Sequence, residues 1–490
     1  MDTFHKTAKP ECKNPLAITI AYNKTQSTTW TTQIGLGGLY LFSFFAFLGQ
    51  VGSAVGLFLM LIAITGSFRE VRRELSRDPA FWMACAFILY LIVNAYLAAN
   101  EFPRTATEQW KGARNWGRLV VFLVLAWWMR GDPKRIYWSF LLALLGLFVH
   151  LVVSFDLSNI EIALRSGRTG FAYSIMFAGI LSGACLIAML IFTPKILNSR
   201  SRPLSKLAIG LLWFAGFAIL LQLQITAQSR GAWVATSLGL LLASLVIVRH
   251  LDRKKLAIFG VMFSILVLIA MQNSSTVEQR LTKDRATISA FLNGAQMEQI
   301  PFQSMGARLH LLHYGLKRWL ERPLLGWGPG TEIEKHFSPQ DFSEPIDRLQ
   351  ASNLPRFAHL HNGFLTILAQ LGIVGAGLFG LLGIFVLRQL MAAYRKKLIP
   401  DDLSAATSGI LLILLLSNLA NSRFAVLDFQ FLATLAMSAA YTTRYQRQID
   451  ARQRTLTRLS ASPAFVNSDK PPLRHNDPHP HTGRPQRQAR

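Results

Sequence analysis

Residues 362–387 read NGFLTILAQLGIVGAGLFGLLGIFVL, an apolar run without a single charged side chain. A bilayer's hydrocarbon core is crossed by about 20 such residues in an α-helix, so this run is long enough to begin outside the bilayer. In lipid, backbone N–H and C=O groups must be paired within the segment. The run therefore predicts a membrane-spanning helix.

Eleven further apolar runs have the same character, which predicts an all-α polytopic integral membrane protein with about 12 transmembrane helices. They cover approximately 33–49, 51–67, 80–99, 117–130, 137–155, 171–192, 207–226, 232–248, 256–271, 408–421 and 426–443. We expect one large outer segment, carrying short helices, between spans nine and ten. The chain divides into a cytoplasmic N-terminal segment 1–32, spans 33–271, the outer segment 272–358, spans 359–443 and a disordered basic tail 444–490.

The charge pattern predicts the orientation of these spans. The chain is 51% hydrophobic and 16% charged, yet its net charge is +25, with the basic residues gathered in alternate loops. Basic loops stay in the cytoplasm, so both termini are expected there, and nucleic acid is a poor candidate partner. The basic tail is expected to be solvated, with contact to anionic headgroups of membrane lipids as the alternative. The three cysteines imply no disulfide framework.

Two histidines, His359 and His361, precede the apolar run 362–387. Helical spacing places His361 on one stripe with Gly372 and Gly375, and it predicts that His359 points away. Small residues allow close helix contact in membranes, so we expect the face bearing His361 to turn into the bundle. The alternative is that His361, like Asn362, merely caps the helix start.

Three outer arginines are candidate anion ligands, because outer loops of membrane proteins are poor in basic residues. Arg230 lies in the short turn AQSRGAW (227–233), Arg308 in SMGARLHLLHYGL (304–316) and Arg168 in RSGRTGF (165–171). Guanidinium groups bind phosphate oxygens bidentately, and few acidic residues lie near Arg230 in sequence. The alternative for each is a headgroup or helix-end contact.

The outer segment is predicted to form an ordered lid that ends in the turn LLGWGPG (324–330). Its amphipathic helix has one apolar stripe: Met305, Leu309, Leu312, Leu316 and Trp319. The only spacing typical of a metal site, Glu332, Glu334 and His336, is interpreted as a solvated loop face. Gln222, Gln224 and Gln228 could bind sugar hydroxyls or pair with neighbouring helices, and Asp428 is expected to be a partner of Arg423.

Three stretches resemble a known family. The stretch HNGFLTILAQLGIVG (361–375) fits the pattern His-Asn, nine residues, Gly, two residues, Gly of O-antigen ligases. SRGAW (229–233) and RWLERPLLGWGPG (318–330) look like the wider superfamily, which includes O-antigen polymerases and protein O-oligosaccharyltransferases. The resemblance covers about residues 160–440.

This resemblance implies inverting, metal-independent and cofactor-free transfer of a glycan at the periplasmic face of a bacterial inner membrane. The donor would be an undecaprenyl-diphosphate-linked glycan and the acceptor lipid A-core oligosaccharide. By the resemblance His361 is the catalytic base, and Arg230 and Arg308 bind the diphosphate. Arg168 and Asn362 are further substrate-binding candidates because of their positions in the sequence. Other arginines of the outer segment compete with Arg308 for its assignment: Arg280, Arg285, Arg318 and Arg322.

Three alternatives stay open at this point. A polymerase or a protein O-oligosaccharyltransferase would differ from a ligase in the acceptor, and a transporter of lipid-linked glycan would belong to another class. Transporters carry ionisable residues or broken helices near the bilayer midplane, where this sequence has almost no charge. The sugar and the oligomeric state are not encoded in any motif that we find.

Overall fold

The computed structural model describes residues 30–164, 167–197, 203–247, 278, 282, 284–296, 300, 305–332 and 359–446. Every regular element in these ranges is helical. The α-helices are α1 (Trp30–Phe45), α2 (Gln50–Gly66), α3 (Phe68–Leu75), α4 (Pro79–Glu101), α5 (Ala106–Gly117), α6 (Phe122–Met129), α7 (Pro133–Val153), α8 (Leu157–Leu164), α9 (Ile175–Leu197), α10 (Pro203–Thr226), α11 (Arg230–Ile247), α12 (Arg285–Leu292), α13 (Met305–Glu321), α14 (Gly363–Arg395), α15 (Asp401–Ser417) and α16 (Leu427–Tyr441). Two short 3₁₀ helices, Pro103–Thr105 and Arg118–Val121, flank α5.

Six helices of the described part are long and apolar enough to cross a bilayer: α4, α7, α9, α10, α11 and α14. The pair α2 and α3, bent by 96°, could supply a seventh span. The prediction of an all-helical, multi-pass membrane protein is thus confirmed. The count of twelve spans stays a prediction, because α1, α6, α15 and α16 are shorter, and the run 256–271 lies outside the described residues.

The most buried of these six helices is α9. In its most apolar stretch, 83% of the residues are buried. It packs against α10, α11 and α15. Small residues permit these close contacts: a side chain added at Gly183 would meet Thr236, and one added at Gly239 would meet the Gly409 carbonyl. Polar groups in lipid are stabilised by hydrogen bonds between helices. Gln224 of α10 forms such bonds with α9 and α11.

Helices α5 and α8 lie at least partly outside the predicted apolar spans, α5 next to the run 117–130 and α8 between the runs 137–155 and 171–192. The predicted amphipathic helix is present as α13, but its apolar stripe is not its buried face. Leu312 and Leu316 are exposed, and the buried face contains Leu311 and Gly315. Gly315 lies against Leu365 of α14, so α13 contacts α14 through a face where a glycine permits close approach. Leu312 and Leu316 lie away from this contact and are exposed.

The long helix α14 is broken at Gly372, whose φ of 60° and ψ of −171° are not helical. The prediction of a regular helical stripe through this residue was therefore wrong. A side chain at Gly372 would overlap the Leu324 carbonyl, so a segment of loop approaches there instead of another helix. Gly375, one turn further, lies against the Tyr90 ring of α4.

Residues 323–331, which we call the inserted segment, complete the hydrogen bonds that the break removes. The N–H groups of Ile373 and Val374 donate to the carbonyls of Pro323 (2.8 Å) and Leu324 (3.2 Å). The carbonyls of Ala369 and Gln370, their helical partners in an unbroken helix, accept from the N–H groups of Trp327 (2.9 Å) and Gly328 (3.0 Å). The two halves of α14 are thus joined through the inserted segment.

Side chains of the preceding helices fasten the inserted segment. Asn94 of α4 donates to the Leu325 carbonyl (2.8 Å), and Gln109 of α5 accepts from the Gly330 N–H (2.9 Å). Gln370 donates to the Thr331 carbonyl (2.7 Å). These bonds fix the chain that follows α13 relative to α14. They thereby also limit the movement of α13, which carries Arg308.

Candidate functional site

His361 precedes α14 and is not part of it. Asn362 is the N-cap, its side-chain oxygen accepting from the Leu365 N–H (2.9 Å). His361 has a φ of 52°, a left-handed conformation that is unfavourable for a histidine. Strained backbone of this kind concentrates at functional sites.

The two histidines lie together, although helical spacing predicted that His359 points away. Their ring centroids are 4.4 Å apart and the rings are inclined by 33°. The prediction was wrong because helical spacing applies only from Gly363 onward, whereas both histidines lie in the chain that precedes the helix.

His361 is surrounded by positive charge. Burial, followed by the effects of His359, Arg308 and Arg423 in that order, lowers the pKa of His361 from its ordinary value to about 4. Burial also lowers the pKa of His359, with Arg423 adding to the effect. Both imidazoles are therefore neutral at pH 7, and His361 can accept a proton.

Arg308 and Arg423 approach His361 from different parts of the chain, α13 and the turn between α15 and α16. Burial lowers the pKa of both guanidinium groups. Neither group forms a hydrogen bond or an ion pair with any residue that the structure describes. Asp428 and Arg423 act on each other electrostatically, as expected of partners, although within the described ranges the two form no ion pair.

Arg230, in contrast, has an acidic partner. Its Nη2 contacts Oδ2 of Asp284, whose side chain is 5% exposed. No sequence pattern predicts this pairing, because Asp284 lies 54 residues away. Arg308 is close to both residues, since the charge of Arg230 lowers its pKa and that of Asp284 raises it. Arg230, Asp284, Arg308 and His361 thus belong to one connected cluster.

The other predicted ligands occupy structural positions. Arg168 donates from Nε to the Ala227 carbonyl (3.1 Å) in the turn that leads to Arg230. Asn362 donates to the Leu419 carbonyl (3.2 Å) in addition to capping α14. Gln224 accepts from Ser182 (2.6 Å) and donates to Thr236 (2.9 Å), so it pairs with neighbouring helices.

Sequence reasoning missed Asn418. This fully buried residue accepts the Gly363 N–H at its carbonyl (2.7 Å) and the Arg423 N–H at its side-chain oxygen (2.9 Å). The available signal was SNLANSRF (417–424), a polar turn with an arginine between two apolar runs. The reasoning applied to Arg230 would have selected Arg423 as well.

Within the described part of the chain, no group of three or more His, Cys, Asp or Glu residues could hold a metal ion. Glu334 and His336 of the rejected metal spacing lie outside the described residues. Metal independence stays a prediction.

Comparison with known proteins adds one finding. Residues 215–380 match the family model described as O-antigen ligase. The match includes Arg230, Arg308 and His361, whereas Asn418 and Arg423 lie beyond it. No curated protein matches the chain.

Proposed function

Because residues 215–380 belong to the O-antigen ligase superfamily, we propose that this multi-pass membrane protein is a glycosyltransferase that transfers O-antigen polysaccharide from undecaprenyl diphosphate to lipid A-core oligosaccharide. The reaction is placed at the periplasmic face of the bacterial inner membrane. The observation that carries the proposal is a neutral, half-buried His361 beside arginines that have anion-binding capacity.

The arginines suit a diphosphate leaving group. Arg308 is half-buried near His361 and forms no ion pair with any described residue, so a bound phosphate would neutralise it. Arg230 lies next to it, held by Asp284. Cations placed where negative charge develops lower the barrier of group transfer, and guanidinium groups do this without a metal.

His361 suits the role of general base. The acceptor hydroxyl oxygen attacks the anomeric carbon and forms the new glycosidic bond. The bond between that carbon and the diphosphate oxygen breaks, and its electron pair leaves with undecaprenyl diphosphate. The hydroxyl proton passes to His361, which is neutral at pH 7. Attack opposite the leaving group inverts the anomeric configuration.

Donor binding would also strengthen the base. The pKa of His361 is low because of burial, His359 and two arginines. A diphosphate bound to those arginines places negative charge next to the imidazole, and nearby negative charge raises a histidine pKa. The proton would then be accepted readily only when the donor is in place.

The distribution of charge supports transfer over transport. The ionisable cluster lies at helix ends and in connecting segments, namely the start of α11, the outer helix α13, and the chain before α14 and α16. A transport pathway would place such groups near the bilayer midplane.

Replacement of His361 tests the proposal. In a strain that lacks the native gene, His361→Ala should abolish full-length lipopolysaccharide and cause long polymer to accumulate on its lipid carrier. His313→Ala, an exposed histidine on α13, serves as the matched control and should restore the ladder. Lipopolysaccharide capped by a single repeat would indicate a polymerase instead, and an unchanged ladder would remove His361 from the mechanism.

A further inference from the structure

Arg423 lies outside the residues that match the family model, yet it belongs to the cluster around His361. Its charge lowers the pKa of both His359 and His361. Asn418 fixes its backbone relative to Gly363, the first residue of α14. The side chain is thus held near the proposed base by a contact that does not involve the guanidinium.

The guanidinium of Arg423 is half-buried and forms no ion pair with any described residue. Its Nε is shielded from solvent and has no hydrogen-bond partner among the described residues. Burying a cation is unfavourable unless it is paired, and Asp428 is too distant to form an ion pair with it. The group is therefore suited to an anion supplied by a ligand.

An apolar groove of about 400 Å³ begins next to Arg423. Two phenylalanines line this end of the groove. Phe424 follows Arg423 in the chain, and Phe364 lies two residues after the N-cap of α14. From there the groove follows α14 past Gly380 to Leu387, and α15, α16, Leu119 and Phe122 line the rest of its wall. Its wall is almost entirely hydrocarbon, as expected of a site for a lipid chain.

We propose that Arg423 binds a phosphate of the lipid diphosphate donor, whose polyprenyl chain occupies the groove between α14, α15 and α16. This rests on the proposed function, because the donor is the lipid that the reaction consumes. The donor diphosphate is bonded to the reacting carbon and must lie beside His361, where Arg423 lies. Phosphates of lipid A are separated from the acceptor hydroxyl by the core sugars.

The test measures binding separately from transfer. The full chain in lipid nanodiscs is titrated with undecaprenyl diphosphate and with undecaprenol, which has the same chain and no phosphate. Arg423→Gln should weaken undecaprenyl diphosphate binding about ten- to a hundredfold, as for loss of a charge-assisted hydrogen bond. Binding of undecaprenol should not change. Arg104→Gln, an exposed outer arginine, is the control of equal charge change.

A second pair of variants tests the groove. Gly380 lines it and Gly377 does not, and an added side chain at either position meets no neighbouring atom. Gly380→Leu should weaken binding of both lipids, while Gly377→Leu should leave both unchanged. Arg423→Gln keeps the backbone N–H that donates to Asn418, so the turn should keep its position. Arg423→Lys also keeps the positive charge. Partial recovery of binding in the lysine variant would therefore show that the glutamine variant lost anion binding and did not misfold.

Three results would overturn the inference. Unchanged binding of undecaprenyl diphosphate by Arg423→Gln is one, and equal weakening for undecaprenol is another. The third is an acceptor KM that rises in this variant while the donor KM does not. If the wild-type chain binds the lipid as expected but transfers no glycan, the proposed function fails and the phosphate site stands.

Discussion

The N–H of Gly363 donates a 2.7 Å hydrogen bond to the carbonyl of Asn418. The same asparagine accepts from the Arg423 N–H through its side chain. One buried residue thus joins the start of the helix that follows His361 to the turn that carries Arg423.

Loss of this connection should slow transfer without unfolding the protein. Asn418→Ala removes the side-chain acceptor for Arg423, and small displacements of reacting groups cost about a hundredfold in rate. We expect kcat to fall at least about tenfold while thermal stability in detergent changes little. Asn421→Ala, in the same turn, is the control. If the activity of Asn418→Ala falls only in proportion to the amount of folded protein, the result would contradict a positioning role.

Gly372→Ala should destabilise the fold. The φ of 60° with ψ of −171° belongs to a region that only glycine adopts readily, and such strain costs about 1–3 kcal/mol. The added methyl group would also overlap the Leu324 carbonyl. Gly377→Ala, in open space on the same helix, should be neutral or stabilising by about 0.5–1 kcal/mol. Equal melting temperatures for the two variants would argue against the break.

The pH dependence of transfer should reflect the low pKa of His361. Because the neutral imidazole is the active form, kcat/KM should stay high as pH falls and decline only as it passes about 4. Arg308→Gln removes a charge that lowers this pKa, so its acid limb should move to higher pH. Lys317→Gln, exposed on the same helix, should keep the wild-type profile. Superimposable profile shapes for all three proteins would exclude His361 as the titrating base.

Arg230→Lys should not restore transfer. The lysine ammonium keeps the charge and can still meet Asp284, but it lacks the planar fork that binds two phosphate oxygens at once. We expect a rate reduced at least about tenfold relative to wild type, measured with the donor at saturation and below it. Arg285→Lys, exposed at the start of α12, is the control. Full activity in Arg230→Lys would reduce this arginine to a positional charge.

Alkaline phosphatase fusions test the predicted orientation. A fusion near residue 300 should be active, because the enzyme folds only outside the cytoplasm, and a fusion near residue 200 should be inactive. The reverse pattern would place His361 in the cytoplasm and remove the need for a donor that arrives already activated.

Local properties of the sequence were enough to predict many of the helices and to select His361, Arg230 and Arg308 as candidates, but not their arrangement. Apolar runs predict α4 or α14 because lipid imposes helix on such segments. A glycine in a regular stripe looks the same whether a helix packs on it or a loop breaks it, which is why the Gly372 prediction failed. The pairing of Arg230 with Asp284 and the placement of Arg423 beside His361 join distant parts of the chain, and no local pattern records them.

The inserted segment has a consequence for how the protein responds to its membrane. A continuous helix transmits tilt along its whole length, and helices tilt when bilayer thickness changes. At Gly372 the backbone bonds of α14 pass to the inserted segment, which α4 holds at Leu325 and α5 holds at Gly330. The residues between Asn362 and Leu371 are therefore braced from the side, so the position of His361 does not depend on the angle at which the rest of α14 crosses the lipid.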